Sequence, residues 1–288
     1  FSPPGTRPGE RAPVYMAVDT HGRVYVTDRM QHAIYVYDSE GNFLDMILSP
    51  DLPLSEYVTL HTGESPGGSQ FTYNVFQNNV SYRNSLSGNL TLPAPRFEGW
   101  SPLGIRIDSE DRIYVTDVTK DKNKVMEFSV PPFVSENKTL GQWNITNPDV
   151  MYFGASGAGN GEFLFPNSAA VDPQGRRFVS DGNNGRIGVW NANGDFLFNF
   201  GGGGGENSLS LPRGIFIDDH NRLFVVDAVG QNVKVFDVSD SEPVFLYNFG
   251  GWGLDDALFN YPNDLYVDDT GRIYIVDREN NRLQVWSY

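Results

Sequence analysis

The chain has 288 residues, 39% of them hydrophobic and 14% aromatic, with 31 glycines and 18 prolines, the composition of a folded, turn-rich protein. Cysteine is absent, which excludes a disulfide framework, a thiolate-held metal and thiol catalysis. With 21 basic and 36 acidic residues the net charge is −15, which repels a phosphate backbone at long range and disfavours nucleic acid as a partner; no apolar run approaches the roughly 18 residues of a membrane span.

In chain order, the first regular unit starts at Pro13 and reads PVYMAVDTHGRVYVTD, followed by a polar loop, AIYVYD and GNFLDMIL. Runs of Val, Ile, Tyr and Phe are strand chemistry. Asp-x-x-Gly-Arg between the first two strands is a tight turn, because the Asp side chain bonds backbone two residues on and Gly tolerates positive φ. Residues 49–101 hold strand-like pieces (EYVTLHT, SQFTYNVF, VSYRN, NLTLP) but no such turn. The pattern returns as PLGIRIDSEDRIYVTD from Pro102, PNSAAVDPQGRRFVSD from Pro166, PRGIFIDDHNRLFVVD from Pro212 and PNDLYVDDTGRIYIVD from Pro262, with Asp111 and Asn221 in the glycine place of two units. Third strands KVMEFSV, RIGVWN, VKVFDV and RLQVWSY follow, and VMYFG, FLFNFG and FLYNFG end three units on an aromatic residue and glycine.

The anchor residues Asp19, Asp108, Asp172, Asp218 and Asp268 stand 89, 64, 46 and 50 residues apart. Short antiparallel strands at such intervals describe the blades of an all-β propeller. The Pro before the inner strand, the Val/Ile-Asp pair, Gly-Arg, aromatic-Val-x-Asp and Arg/Asn-x-x-Val-aromatic closely resemble NHL-repeat β-propellers, over residues 13–48 and 102–288. That resemblance implies a binding platform with diverse partners. The 89-residue gap is nearly two repeats, so we expect a single propeller domain over 1–288 with six four-stranded blades, the degenerate one at 49–101; five blades plus a long hairpin insertion is the alternative. The last unit stops after its third strand and Phe1 lies where a fourth would end, so the strand that closes this blade is expected upstream of the sequence.

Candidate chemistry is sparse. His21 and His220 share one place in the first turn of two blades and read as solvated; His32 lies in the next loop and His61 in the irregular stretch. No spacing gives a histidine metal motif. Some NHL-like propellers are zinc lyases acting on peptidylglycine ends, and that resemblance implies several channel histidines that this chain does not readily supply. The anchor aspartates recur once per blade, as do Asp28, Asp117, Asp181, Asp227 and Asp277 after the second strand. Such recurrence reads as loop architecture, with local pairs Asp181–Arg186 and Asp277–Arg282, rather than as a Ca²⁺ ring. The glycine run 201–205 lacks a following Lys-Ser/Thr and reads as a flexible connector. Asn79, Asn89, Asn137 and Asn144 stand in sequons, candidate glycan sites if the chain is exported.

Loops on a rigid scaffold carry function. The face made by the blade-to-blade connectors and the second-to-third-strand loops carries Arg29, His32, Leu103, Asn167, Arg213, Trp252, Asn263 and Arg278, with Trp100 and Tyr261 as further connector aromatics that anchor a partner or pack between blades. The expected function is non-catalytic binding or scaffolding through protein–protein contacts, in an extracellular or periplasmic assembly, with no catalytic residue, metal or cofactor assigned. The alternative is a metal-dependent propeller hydrolase or lyase with its site at the channel mouth. RNA binding, which some NHL domains perform through a basic face, is disfavoured by the charge despite Lys120, Lys122 and Lys124.

Overall fold

Each repeat folds as its turn chemistry dictates. Asp19 Oδ1 accepts the amides of His21 and Arg23, both at 2.9 Å, while Oδ2 accepts Arg23 Nε at 2.5 Å and the Tyr25 hydroxyl at 3.1 Å. The same turn forms around Asp108, Asp172, Asp218 and Asp268, each accepting the amide of the arginine four residues on. The turn needs a residue at positive φ, and Asp111 (58°) and Asn221 (57°) supply it where the other units use glycine.

A computed structural model describes residues 12–47, 49, 71–74, 79–84, 88–93, 100–129 and 150–287. It is an all-β propeller of five antiparallel blades. Blade one is β1 (Pro13–Val18), β2 (Val24–Asp28), β3 (Ala33–Tyr37) and β4 (Phe43–Ile47). A separate sheet of β5 (Phe71–Asn74), β6 (Asn79–Asn84) and β7 (Gly88–Pro93) follows. Blade two is β8 (Pro102–Ile107), β9 (Arg112–Asp117), β10 (Lys124–Ser129) and β11 (Met151–Phe153). A short parallel pair, β12 (Ala155–Ser156) and β13 (Glu162–Phe163), leads into blade three: β14 (Pro166–Val171), β15 (Arg177–Asp181), β16 (Arg186–Trp190) and β17 (Phe196–Phe200). Blade four is β18 (Pro212–Ile217), β19 (Arg222–Asp227), β20 (Asn232–Asp237) and β21 (Val244–Gly250). Blade five has three strands, β22 (Pro262–Val267), β23 (Ile273–Asp277) and β24 (Arg282–Trp286). The backbone groups into two compact units, Phe1–Tyr114 with Met126–Met151, and Val115–Val125 with Tyr152–Tyr288.

The expected sixth blade is corrected: the described part of 49–101 is a three-stranded antiparallel sheet, β5-β6-β7, and not a four-stranded blade. The physical reason is legible afterwards. No aspartate occurs between Leu52 and Ile107, so the stretch has strand-forming residues without the side chain that nucleates the blade turn. The expected upstream strand ending at Phe1 lies outside the described residues.

In the second unit, consecutive blades pack face to face. Ala170, Phe178, Ile187 and Val189 of blade three meet Ile215, Leu223 and Val225 of blade four. Phe224, Val226, Val233 and Val235 of blade four meet Leu265, Val267, Ile273 and Ile275 of blade five. Blade four thus buries apolar side chains on both of its faces, and burial of each stabilises by about 1.5–3 kcal/mol. The aromatic-glycine endings have a packing cause. A Cβ on Gly154 (φ 76°) would come within 2.0 Å of the Phe163 ring, and one on Gly250 (φ 92°) within 2.3 Å of Phe259. Each glycine is a socket for the connector's aromatic ring, which also packs on the tryptophan of its third strand, Phe163 on Trp190 and Phe259 on Trp286.

Candidate binding face at the connectors

The loop ends of the blades are built around the second recurrent aspartate. Asp227, fully buried, accepts the amides of Ser210 and Leu211 from the incoming connector, both at 2.9 Å, and that of Gly230 in its own loop at 3.0 Å. Asp181 accepts from Leu164 N at 2.7 Å, Asn184 Nδ2 at 2.7 Å and Arg186 Nε at 2.9 Å. Asp277 accepts from Asn260 N, Asn280 Nδ2 and Arg282 Nε, each at 2.8 Å, and from Gln284 Nε2 at 3.0 Å. Both local pairs expected from sequence therefore form. Burial pushes the Asp181 carboxyl above the ordinary carboxylate value against these bonds; at Asp277 burial pushes the same way, but the four donors prevail and hold it below. With their oxygens engaged by connector and loop donors, these carboxylates are clamps between connector and loop.

The eight binding-face candidates separate into two groups. In the first unit, Arg29 Nε donates to Ser101 Oγ at 3.3 Å, and His32 Nδ1 lies against the Trp100 carbonyl. Leu103 is 2% exposed, and its carbonyl accepts the Thr27 hydroxyl at 2.7 Å, so its side chain belongs to the core. Trp100 is also fully buried. In the second unit, Asn167 is buried too, its Nδ2 donating to the Phe165 carbonyl at 3.0 Å. Trp252 is 73% exposed on the connector between β21 and β22.

The remaining three candidates converge. Arg213 Nη1 donates to Asn263 Oδ1 at 3.1 Å. The Arg213 guanidinium lies 5.2 Å from the centre of the Tyr261 ring, and that of Arg278 lies 5.8 Å from the same ring. Both distances are within cation–π range. Tyr261 is placed by backbone strain. It holds φ at 55°, which a bulky residue adopts at a cost of about 1–3 kcal/mol, and its amide is fixed by Gln231 Oε1 at 2.7 Å. The sequence marked Tyr261 as a connector aromatic, but not as the ring on which the two arginines converge. The signal was its place directly before the connector proline, where the other two connectors of this unit have Phe165 and Leu211.

One His/Asp group among the described residues brings potential metal ligands together: Asp19, His21 and Asp111. It lies at the turn end of the strands, away from the connectors. Asp19 is already saturated by the turn. Asp111 accepts the Thr20 amide at 2.8 Å and the Thr20 hydroxyl at 2.6 Å; these two bonds, first the hydroxyl's, hold its carboxyl below the ordinary value. His21 is exposed, as a solvated turn residue, with Nδ1 3.2 Å from Asp111 Oδ2. An ion here would compete with the turn donors for both carboxylates. Of the sequon asparagines, Asn79 and Asn89 lie in β6 and β7, and Asn137 and Asn144 lie outside the described residues.

The NHL repeat profile matches residues 259–286, the β22–β24 blade with its connector. Residues 259–286 are thus an NHL repeat, set in a β-propeller fold. No curated protein sequence matches this propeller. Solved structures resemble it in fold: a protein of unknown function from Bacteroides caccae (TM-score 0.54, 10% identity, over 93% of this chain and 71% of that one), virginiamycin B lyase from Staphylococcus aureus (0.51, 12%, 100% and 87%) and a putative gluconolactonase (0.52, 11%, 95% and 76%). At these identities the likeness is one of fold. No helix among the described residues is long and apolar enough to cross a membrane.

Proposed function

We propose that this propeller is a non-catalytic binding module that holds a protein partner on the connector face of its second unit. One observation carries the reading. The recurrent carboxylates at the loop ends serve as clamps, whereas Arg213, Arg278 and Tyr261 form a cationic–aromatic cluster, and Trp252 stands 73% exposed on the same connector as Tyr261. Arginine, tyrosine and tryptophan are the side chains that dominate binding energy at protein interfaces. The proposed setting is an assembly outside the cytoplasm, in keeping with zero cysteine and net charge −15.

The test is crosslinking of the protein to its partners in extracts of its source, followed by mass spectrometry. Crosslinks should map to residues 251–261 and 278–281, and Trp252→Ala should remove them. Crosslinks confined to the β1–β2 turn end, or turnover of a lactone, peptide amide or glycan by the purified protein, would count against the proposal.

A further inference from the structure

Five arginines of the blade turns and loops are paired with aspartate: Arg23, Arg176, Arg186, Arg222 and Arg282, each at 2.5–2.9 Å. Arg213 departs from that pattern. Its partners are neutral, the Asn263 amide oxygen and the Tyr261 ring, and its Nε is buried without an acceptor. Guanidinium offers five donors and no acceptor, so a buried N–H left without a partner is a standing cost of about 1–3 kcal/mol. Arg278 adds a second cation on the same ring. Its nearby acid, Glu279, stands at 3.4 Å with both side chains about half exposed, a pair of little worth in water. Two guanidinium groups thus share one aromatic ring in a chain that carries an excess of 15 negative charges. Backbone strain at Tyr261, secured by Gln231, holds that ring in place.

We infer that Arg213 and Arg278 form an anchor for one carboxylate of the bound partner, seated at the Tyr261 ring. This rests on the binding reading above and names the group that the site recognises. A carboxylate supplies two coplanar acceptors that match the guanidinium fork, and it would neutralise two like charges held together. A polyanion such as RNA would bring more charge than two arginines balance, against the repulsion of the whole molecule. The carboxylate comes from a partner's Asp or Glu side chain or from its C-terminus.

The test is NMR of the arginine Nε–Hε resonances during titration with three peptides: acetyl-Gly-Glu-Gly-amide, its Gln analogue, and acetyl-Gly-Gly-Gly with a free C-terminus. Saturable shifts of the Arg213 and Arg278 signals with a carboxylate peptide, and none with the Gln peptide, are expected. Which carboxylate peptide binds more tightly assigns the source. Arg278→Gln, an exposed change that leaves the blade intact, should weaken binding about tenfold, the loss of one charge-assisted contact, and Arg213→Gln at least as much. Equal binding of the Glu and Gln peptides, no shift with either carboxylate peptide, or inorganic phosphate competing as well as the Glu peptide would each overturn the carboxylate anchor. Partner crosslinks that survive in Arg213→Gln and Arg278→Gln would sink the anchor and leave the binding module standing. A wild-type protein that binds the peptide yet crosslinks nothing at the connectors would do the reverse.

Discussion

Blades four and five carry the same apolar face in opposite surroundings. Phe224, Val226, Val233 and Val235 of blade four are all fully buried under blade five. Register places Tyr274, Val276, Leu283 and Val285 of blade five at the same four positions. There Val276 is 42% exposed, Leu283 59% and Val285 56%. The residue types scarcely differ, so the difference comes from the neighbour. Blade five carries these part-exposed apolar side chains on one side and the packed core of Leu265, Val267, Ile273 and Ile275 on the other.

That contrast can be broken at several points. The largest effect is expected from Phe224→Ala, which opens a cavity between blades and should cost about 3–5 kcal/mol in urea unfolding. Next comes Asp227→Ala, which orphans the amides of Ser210, Leu211 and Gly230; the loss should be about 1–3 kcal/mol for each amide that water cannot reach, read by the same unfolding curves and by faster hydrogen exchange at those amides. A smaller effect is acid-dependent. The Asp277 carboxyl is held below its unfolded value, so its contribution is present above the unfolded pKa and is lost as pH falls through the lower folded pKa. Unfolding midpoints followed from pH 6 to pH 2 should fall in the acid range for the wild type and fall less for Asp277→Asn. At the bottom of the scale, Leu283→Ala should change stability by no more than about 0.5 kcal/mol, as for a surface position. A loss at Leu283 comparable to that at Phe224 would mean that another surface covers the blade-five face in solution.

The fold was readable wherever the turn aspartate occurs, because one side chain both closes the turn and marks the strand ends. The same logic explains the misjudged stretch 49–101, where strand composition without that aspartate suggested a blade that does not form. Within the site, the repeat register located Arg213, Asn263 and Arg278 on the connector face. Their convergence on Tyr261 was not readable, since it joins Arg213 and Tyr261 across 48 residues of sequence and depends on a left-handed backbone that nothing in a Tyr-Pro pair announces. Leu103 and Asn167 show the converse. The position after the connector proline is partly exposed at Arg213 and Asn263 and fully buried at Leu103 and Asn167, and strand periodicity alone does not separate the two.

The glycine sockets that receive Phe163 and Phe259 also set where the chain can be lengthened. Each connector is pinned at its start by the socket and at its end by the aspartate clamp. Between those fixed points the five-glycine connector is slack: a methyl group added at Gly203 or Gly204 would meet nothing within 4 Å. For protein engineering this makes residues 203–204 a splice point, where a tag, a reporter or a grafted recognition loop can be inserted while the blades on either side keep their pairing.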